Sequence, residues 1–283
     1  PLIGEKIDIP APDVNTNGKI MSWMVDAYEN VVKKSAPGVF TGKPVEFGGS
    51  LARTEATGYG VNFAAVQALE KLGKDVKGAT YAIQGFGNVG YHTGYYAHQS
   101  GAKVVAVSTV DVAIYNENGL DMEALFKEFQ EKGFITNEAG YGKEISNAEL
   151  LALDVDVLAP CALENQLTSE NAGKVRAKIV VEGANGPTTP EADAILRQNG
   201  VLVVPDILAN CGGVVVSYFE WVQNLQGYYW EFDEVQEKET VVLRRAFRDI
   251  WNLAQEYDVD LRTASYMMSI RRVEKAMKLR GWY

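Results

Sequence analysis

Apolar positions along the chain follow two rhythms. Short apolar runs recur at 79–84, 104–107, 155–158, 179–181 and 201–204. Between them lie segments with helical spacing, near 121–131, 147–152, 168–174 and 190–199, and a further one that leads from a glycine-rich stretch at 85–90 to about residue 100. Short apolar strands alternating with helices predict parallel βαβ units. Right-handed crossovers then place the helices on both faces of a doubly wound, Rossmann-like parallel sheet, an α/β fold. Elsewhere the rhythm is helical throughout. A helix is predicted over 20–32, and a second over 55–72, where Val61, Ala64, Ala65, Ala68, Leu69 and Leu72 leave little polar surface and predict burial. After Pro205 come three more helices, near 212–226, 231–257 and 261–279, the last two forming a C-terminal helical segment. Residues 1–54 are dense in breakers, among them Pro37-Gly38, Gly42-Lys43-Pro44 and Gly48-Gly49-Ser50.

Composition narrows the function classes. The 283 residues carry 27 Lys and Arg against 37 Asp and Glu, a formal charge of −10. With 47 % hydrophobic and 23 % charged residues the chain is of ordinary globular make-up. Its acidity argues against a sequence-independent nucleic-acid partner, which needs clustered Lys and Arg. No apolar run has the roughly 18–20 residues that span a bilayer. Two cysteines, Cys161 and Cys211, make neither a disulfide framework nor a zinc spacing, so no metal is expected and a reducing cytoplasm fits best. The chain opens on Pro1 rather than Met, which reads as a processed or truncated start.

The strongest local motif is Gly85-Phe86-Gly87-Asn88-Val89-Gly90, between a predicted strand and a predicted helix. In that setting the glycines allow a tight turn, close approach of backbone to a pyrophosphate, and close helix–strand packing. The helix N-terminus supplies donors for phosphate. An acid about 20 residues further on would hold the adenosine ribose. Thr109 stands there instead, and Asp111 two residues later either takes the ribose or sits in a turn. No Arg follows to accept a 2′-phosphate, so NAD is favoured over NADP. Further loops after strand ends carry Cys161-Ala162, Glu182-Gly183-Ala184-Asn185 and Asn210-Cys211-Gly212-Gly213. Asn185 is either a turn residue or a donor and acceptor for ribose or carboxamide. The cysteines read as packing residues, and His92 and His98 as surface or packing residues. Asp13, after two prolines in Pro10-Ala11-Pro12-Asp13, is either a turn residue or a rigidly placed carboxylate.

Taken in order, the 8–13 segment, Thr41-Gly42-Lys43-Pro44, Gly48-Gly49-Ser50 with Arg53, Ala56-Thr57-Gly58, the glycine loop, Glu182-Gly183-Ala184-Asn185 and Asn210-Cys211-Gly212-Gly213-Val214 resemble glutamate dehydrogenase of the bacterial hexameric type. The resemblance implies reversible oxidative deamination of L-glutamate to 2-oxoglutarate and ammonia. It implies that Asp13 works with a lysine in proton transfer. Ser217, with Ala11 and Val214, would hold the substrate, Ser217 taking its γ-carboxylate. Arg53, Thr57 and Asn185 would lie around the nicotinamide, and Gly85, Phe86, Gly87, Asn88 and Val89 at the pyrophosphate, with Thr109, Asp111, Cys161, Ala162 and Asn210 completing the cofactor site. Residues 1–54 would be a hinge and remnant of the substrate domain, 55–227 the dinucleotide-binding domain and 228–283 C-terminal helices. The rest of that substrate domain, with the catalytic lysine, is expected to be missing. A homohexamer is expected of the full-length enzyme, and a monomer or weak dimer of this piece. A leucine- or phenylalanine-type dehydrogenase and an NAD-binding module without catalysis are the alternatives.

Overall fold

The computed structural model describes residues 2–13 and 15–283; Pro1 and Val14 lie outside the described residues. In chain order the elements are α1 (Gly18–Val32), α2 (Ala56–Lys71), β1 (Thr80–Gln84), α3 (Asn88–Gln99), β2 (Lys103–Ser108), β3 (Ala113–Tyr115), α4 (Met122–Lys132), β4 (Lys143–Ile145), α5 (Asn147–Leu151) and β5 (Val157–Pro160). There follow β6 (Ile179–Val181), α6 (Pro190–Gln198), β7 (Leu202–Val204), α7 (Asp206–Ala209), α8 (Gly212–Gln226), α9 (Phe232–Tyr257) and α10 (Leu261–Leu279). The chain divides into two compact units: Pro1–Ala56 with Gly212–Val242, and Thr57–Cys211 with Leu243–Tyr283.

The larger unit is built on a seven-stranded sheet of order β4-β3-β2-β1-β5-β6-β7. Strands β2, β1, β5, β6 and β7 run parallel, as the apolar runs predict. The sheet as a whole is mixed, because β3 pairs antiparallel with β2, and β4 with β3. These two strands hold three residues each, and Lys143-Glu144-Ile145 is mostly charged, so neither shows a period that a sequence reading can detect. A second departure is at 168–174, where only a 3₁₀ turn, Ala172–Lys174, forms. There Asn171 accepts from the Thr168 N–H and donates to the Gln166 carbonyl, and such side-chain bonds compete with helix.

The parallel strands are apolar on both faces through their middles because both faces are covered. Tyr81 and Ile83 of β1, Val157 and Ala159 of β5, and Ile179 and Val181 of β6 join a core with α2, α3, α4, α9 and α10. Val61, Ala64, Ala65, Ala68 and Leu69 of α2 are buried there as expected, but Leu72 lies past the end of α2 and is exposed. Their alternates Ala82, Leu158 and Val180 face Leu150 and Leu151 of α5 and Ala192 and Leu196 of α6. The smaller unit has two modest cores, one of Ala52, Ala56, Val216, Phe219 and Val235, the other of Val25, Ala36, Val39 and Phe40.

Helices α2 and α3 cross closely at Gly58, where a Cβ would collide with the His92 side chain and with the backbone at Val89 and Thr93. Gly58→Val is expected to cost about 1–3 kcal/mol through overpacking. Urea unfolding should show a lowered midpoint at unchanged slope; an unchanged midpoint would contradict the close crossing.

Candidate functional site

In the larger unit, the first candidate segment follows β1. The chain turns at Gly85 with φ of 88°, a conformation glycine adopts freely. A Cβ there would strike Ala162, and one at Gly90 would strike the Gly85 carbonyl, so loop, helix and neighbouring segment are drawn together. In front of Gly87 the space is open: a Cβ would meet no atom within 4 Å. Gly87 is also the N-cap of α3, and no side chain caps that helix. An open glycine cradle at a helix N-terminus that no side chain caps fits a dinucleotide pyrophosphate. The Phe86 side chain turns away into an aromatic cluster with Tyr91, Phe126 and Phe129, leaving its backbone at the loop. Val89 is half-buried and packs toward Gly183, and Asn88 is exposed.

The segments that follow the other strands lie at the same carboxyl-terminal edge of the sheet, beside the point where the order reverses about β1. After β2, Thr109 Oγ1 accepts from the Asp111 and Val112 N–H groups at 3.3 and 3.2 Å. Thr109 thus fastens the turn into β3, and Asp111 is exposed on it. After β5, the Cys161 N–H donates to the Gln84 carbonyl at 2.7 Å. Burial pushes the Cys161 thiol up to about 12, although Thr93 bonds it, so it is an un-ionised packing group. After β6 and β7, Asn210 Nδ2 donates to Asn185 Oδ1 at 2.6 Å and to the Gly183 carbonyl at 3.3 Å, which links the two loops.

Beneath these loops sits a charged cluster. Glu182 is fully buried and accepts from Arg262 Nη2 at 2.7 Å, Arg262 Nη1 at 3.1 Å and the Asp206 N–H at 2.7 Å. Arg262 also pairs with Asp193 at 2.6 Å and Asp206 at 3.4 Å. Burial pushes the Glu182 carboxyl up, and the guanidinium draws it partly back.

In the smaller unit, Ser217 on α8 is buried, and Arg53 Nε donates to its Oγ at 2.8 Å. Val214, one turn earlier on α8, is exposed. One turn later, Glu220 is fully buried and accepts from Lys43 Nζ at 2.7 Å and from the Gly42 and Lys43 N–H groups at 2.9 and 3.3 Å. Lys43 Nζ donates in addition to the Phe40 carbonyl at 2.7 Å. The Thr41 N–H donates to the Pro10 carbonyl at 3.0 Å, and the Pro12 ring lies against Gly42. Ala11 and Asp13 are thereby carried on a loop seated over 41–43. Both are exposed, and the Asp13 backbone is tied to Thr16 Oγ1 on both its N–H and carbonyl sides. Thr57, in the first turn of α2, belongs to the larger unit and is half-buried.

The structure brings together Arg53 with Ser217, Asn185 with Asn210, and Gly85 with Ala162. Arg53, which the resemblance groups with the nicotinamide, has its guanidinium on the serine. The pairings of Glu220 with Lys43 and Glu182 with Arg262 escape a sequence reading, because 177 and 80 residues separate the partners. Among the described residues no three His, Cys, Asp or Glu are grouped to hold a metal ion, and no helix is long and apolar enough to cross a membrane.

Comparison with known proteins shows the family. Residues 48–281 match the Glutamate/Leucine/Phenylalanine/Valine dehydrogenase family, and residues 1–30 match the Glu/Leu/Phe/Val dehydrogenase dimerisation domain. The chain is 55 % identical to an NAD-specific glutamate dehydrogenase of Clostridioides difficile and 52 % identical to a glutamate dehydrogenase of Thermotoga maritima, in each case over 100 % of this chain and 68 % of the relative. The crystal structure of glutamate dehydrogenase from Peptoniphilus asaccharolyticus superposes with a TM-score of 0.87 at 45 % identity, covering 100 % of this chain and 67 % of that one. A hetero-hexameric glutamate dehydrogenase from Thermus thermophilus, in a leucine-bound form, gives 0.92 at 35 % identity over the same shares.

Arg262→Met would leave the Glu182 carboxylate buried beside a partner that can no longer compensate it. The expected loss is about 3–5 kcal/mol, read from urea unfolding at neutral pH; a loss well below 1 kcal/mol would show that the cluster is not what holds the 182–186 loop.

Proposed function

Because the chain belongs to the glutamate/leucine/phenylalanine/valine dehydrogenase family, we propose that it serves the reversible oxidative deamination of L-glutamate to 2-oxoglutarate and ammonia, with NAD rather than NADP as coenzyme. The observation that carries the choice of glutamate is the Arg53–Ser217 pair. A buried hydroxyl with a guanidinium beside it suits a second carboxylate, through a charge-assisted bond. The apolar side chain of leucine or phenylalanine would offer neither group an acceptor. Ala11 and Val214 flank the substrate, and the carboxylate of Asp13 moves protons to and from the nitrogen and the α-carbon hydroxyl, work that needs a positioned acid–base group.

The relatives' names as NAD-specific enzymes support the coenzyme assignment. So does the β2–β3 turn, where Asp111 would repel a 2′-phosphate and no arginine would receive one. The N–H groups of 87–89 hold the pyrophosphate and the turn at Thr109 and Asp111 borders the ribose. Asn185, Asn210, Cys161, Ala162 and Thr57 frame the nicotinamide end. NAD, when bound, supplies the hydride acceptor.

Lys43 is committed to Glu220 and Phe40 and is not the lysine that such chemistry asks of Asp13. These residues alone therefore bind dinucleotide but turn over slowly or not at all, by the roughly 10²–10⁴-fold that a positioned acid–base group contributes. The whole enzyme acts as a cytoplasmic homohexamer, this piece as a monomer or weak dimer, with neither nucleic acid nor membrane as partner.

Reduced-nicotinamide fluorescence tests the reading. NADH should bind saturably and NADPH more weakly, and Gly87→Val should abolish the signal by filling the open space. Equal binding of both coenzymes would contradict the assignment of the turn, and binding of neither would overturn the cofactor site. A response of bound NADH to glutarate but not to leucine would separate glutamate chemistry from that of the sister enzymes and from a plain NAD-binding module.

A further inference from the structure

The smaller unit also buries an acid outside the Lys43 pair. Glu239, on α9, is fully buried, and neither of its carboxyl oxygens has a hydrogen-bond partner. Buried polar groups are nearly always bonded, so an orphaned carboxyl asks for a reason. The fold makes deliberate room for it. Its Oε1 lies against Gly212, the first residue of α8, where a Cβ would strike both that oxygen and the Ala56 carbonyl. Two charged groups reach it electrostatically, both from the segment just before α2: the Glu55 carboxylate, which repels, and the Arg53 guanidinium, which attracts. On α8 the charged group is Glu220, which acts on Arg53 and is already engaged by Lys43.

Arg53 thus bonds one hydroxyl and feels the field of two acids. Its Nε is on Ser217, and Glu220 and Glu239 are the charges that help to keep it protonated against burial. A guanidinium stays charged in any case; what varies is how much of that charge remains for a ligand. We propose that Glu239 is a positioning residue for the substrate carboxylate: with its proton on, it leaves the charge of Arg53 to the anion at Ser217, and with its proton off, it competes for that charge. The inference rests on reading Arg53 and Ser217 as a carboxylate subsite. Burial, with Glu55 adding to it, pushes the Glu239 carboxyl up to about 8, so the change falls within the range where such an enzyme would be assayed. Glu239 touches no substrate; it acts through Arg53 and sets the upper pH limit of dicarboxylate affinity.

The test is calorimetric titration of the full chain with glutarate between about pH 6 and about pH 10, in wild type and in Glu239→Gln. Wild-type affinity should fall on the order of tenfold, the scale of one partly screened charge pair, with a midpoint near pH 8. The variant should bind equally well throughout. A parallel fall in both proteins, or none in either, overturns the proposal while leaving the subsite intact. No glutarate binding at any pH overturns the subsite and the proposal together.

Should the variant fail to fold, the infrared carbonyl band of a neutral buried carboxyl in the wild type gives an independent reading. By reciprocal linkage, saturating glutarate should move the band's midpoint upward; an unmoved midpoint overturns the proposal. A purely structural acid would not show this coupling. It would only lower stability as pH rises from the unfolded value of about 4.3 toward the folded value of about 8.

Discussion

Glu220 is the constraint on which the smaller unit depends. A carboxylate taken wholly out of water is tolerated only when a countercharge and further donors surround it. Glu220 has the Lys43 ammonium and the backbone N–H groups of residues 42 and 43. Those contacts lock the 41–43 turn to α8. The same face of the helix continues the grip: Gln223 donates to Ser50 Oγ at 2.8 Å and Asn224 to the Gly48 carbonyl at 2.8 Å. Positions 220, 223 and 224 are three and four apart and so share one face of the helix. Through them one buried polar stripe holds the whole 41–50 segment. Ser217 begins that stripe, the Asp13 loop rests on the turn it holds, and Arg53 follows directly behind. Geometry at each proposed substrate group is therefore inherited from one ion pair.

The larger unit solves a similar problem with Arg262. Its guanidinium comes from α10, near the end of the chain, and reaches Glu182 after β6, Asp193 on α6 and Asp206 on α7. The C-terminal helix is thus no appendage to the sheet. It supplies the countercharge that lets an acid sit buried at a strand end, and the loop bearing Asn185 hangs from that acid. In both units a fully buried glutamate anchors a loop, with exposed or half-exposed residues of the loop left to meet a ligand.

Much of this fold was legible from the chain, because local pattern encodes it. The five parallel strands, the helices that flank them and the glycine turn after β1 each follow from period, glycine placement and neighbouring elements. The antiparallel β3 and β4 are too short to carry a period, and side-chain bonds at Asn171 override the helical spacing at 168–174. The site was legible only in part. The Gly87 cradle is local, but Arg53 meets Ser217 across 164 residues, and nothing in either neighbourhood announces the other. Lys43 stands in a recognisable motif, yet only the fold shows that it serves a buried ion pair. Thr109 looks like a missing ribose acid in sequence; in the structure it is the fastening of a turn. Glu239 gives no sequence signal at all, since one acid in a long amphipathic helix is expected to face water.

On the proposed reading, the open space before Gly87 is where a dinucleotide places its pyrophosphate. A crystal structure of this chain grown with NADH tests it most directly. Pyrophosphate oxygens are expected within hydrogen-bond reach of the N–H groups of 87–89, at the N-terminus of α3. Density for the dinucleotide elsewhere on the chain, with that helix N-terminus still hydrated, would contradict it.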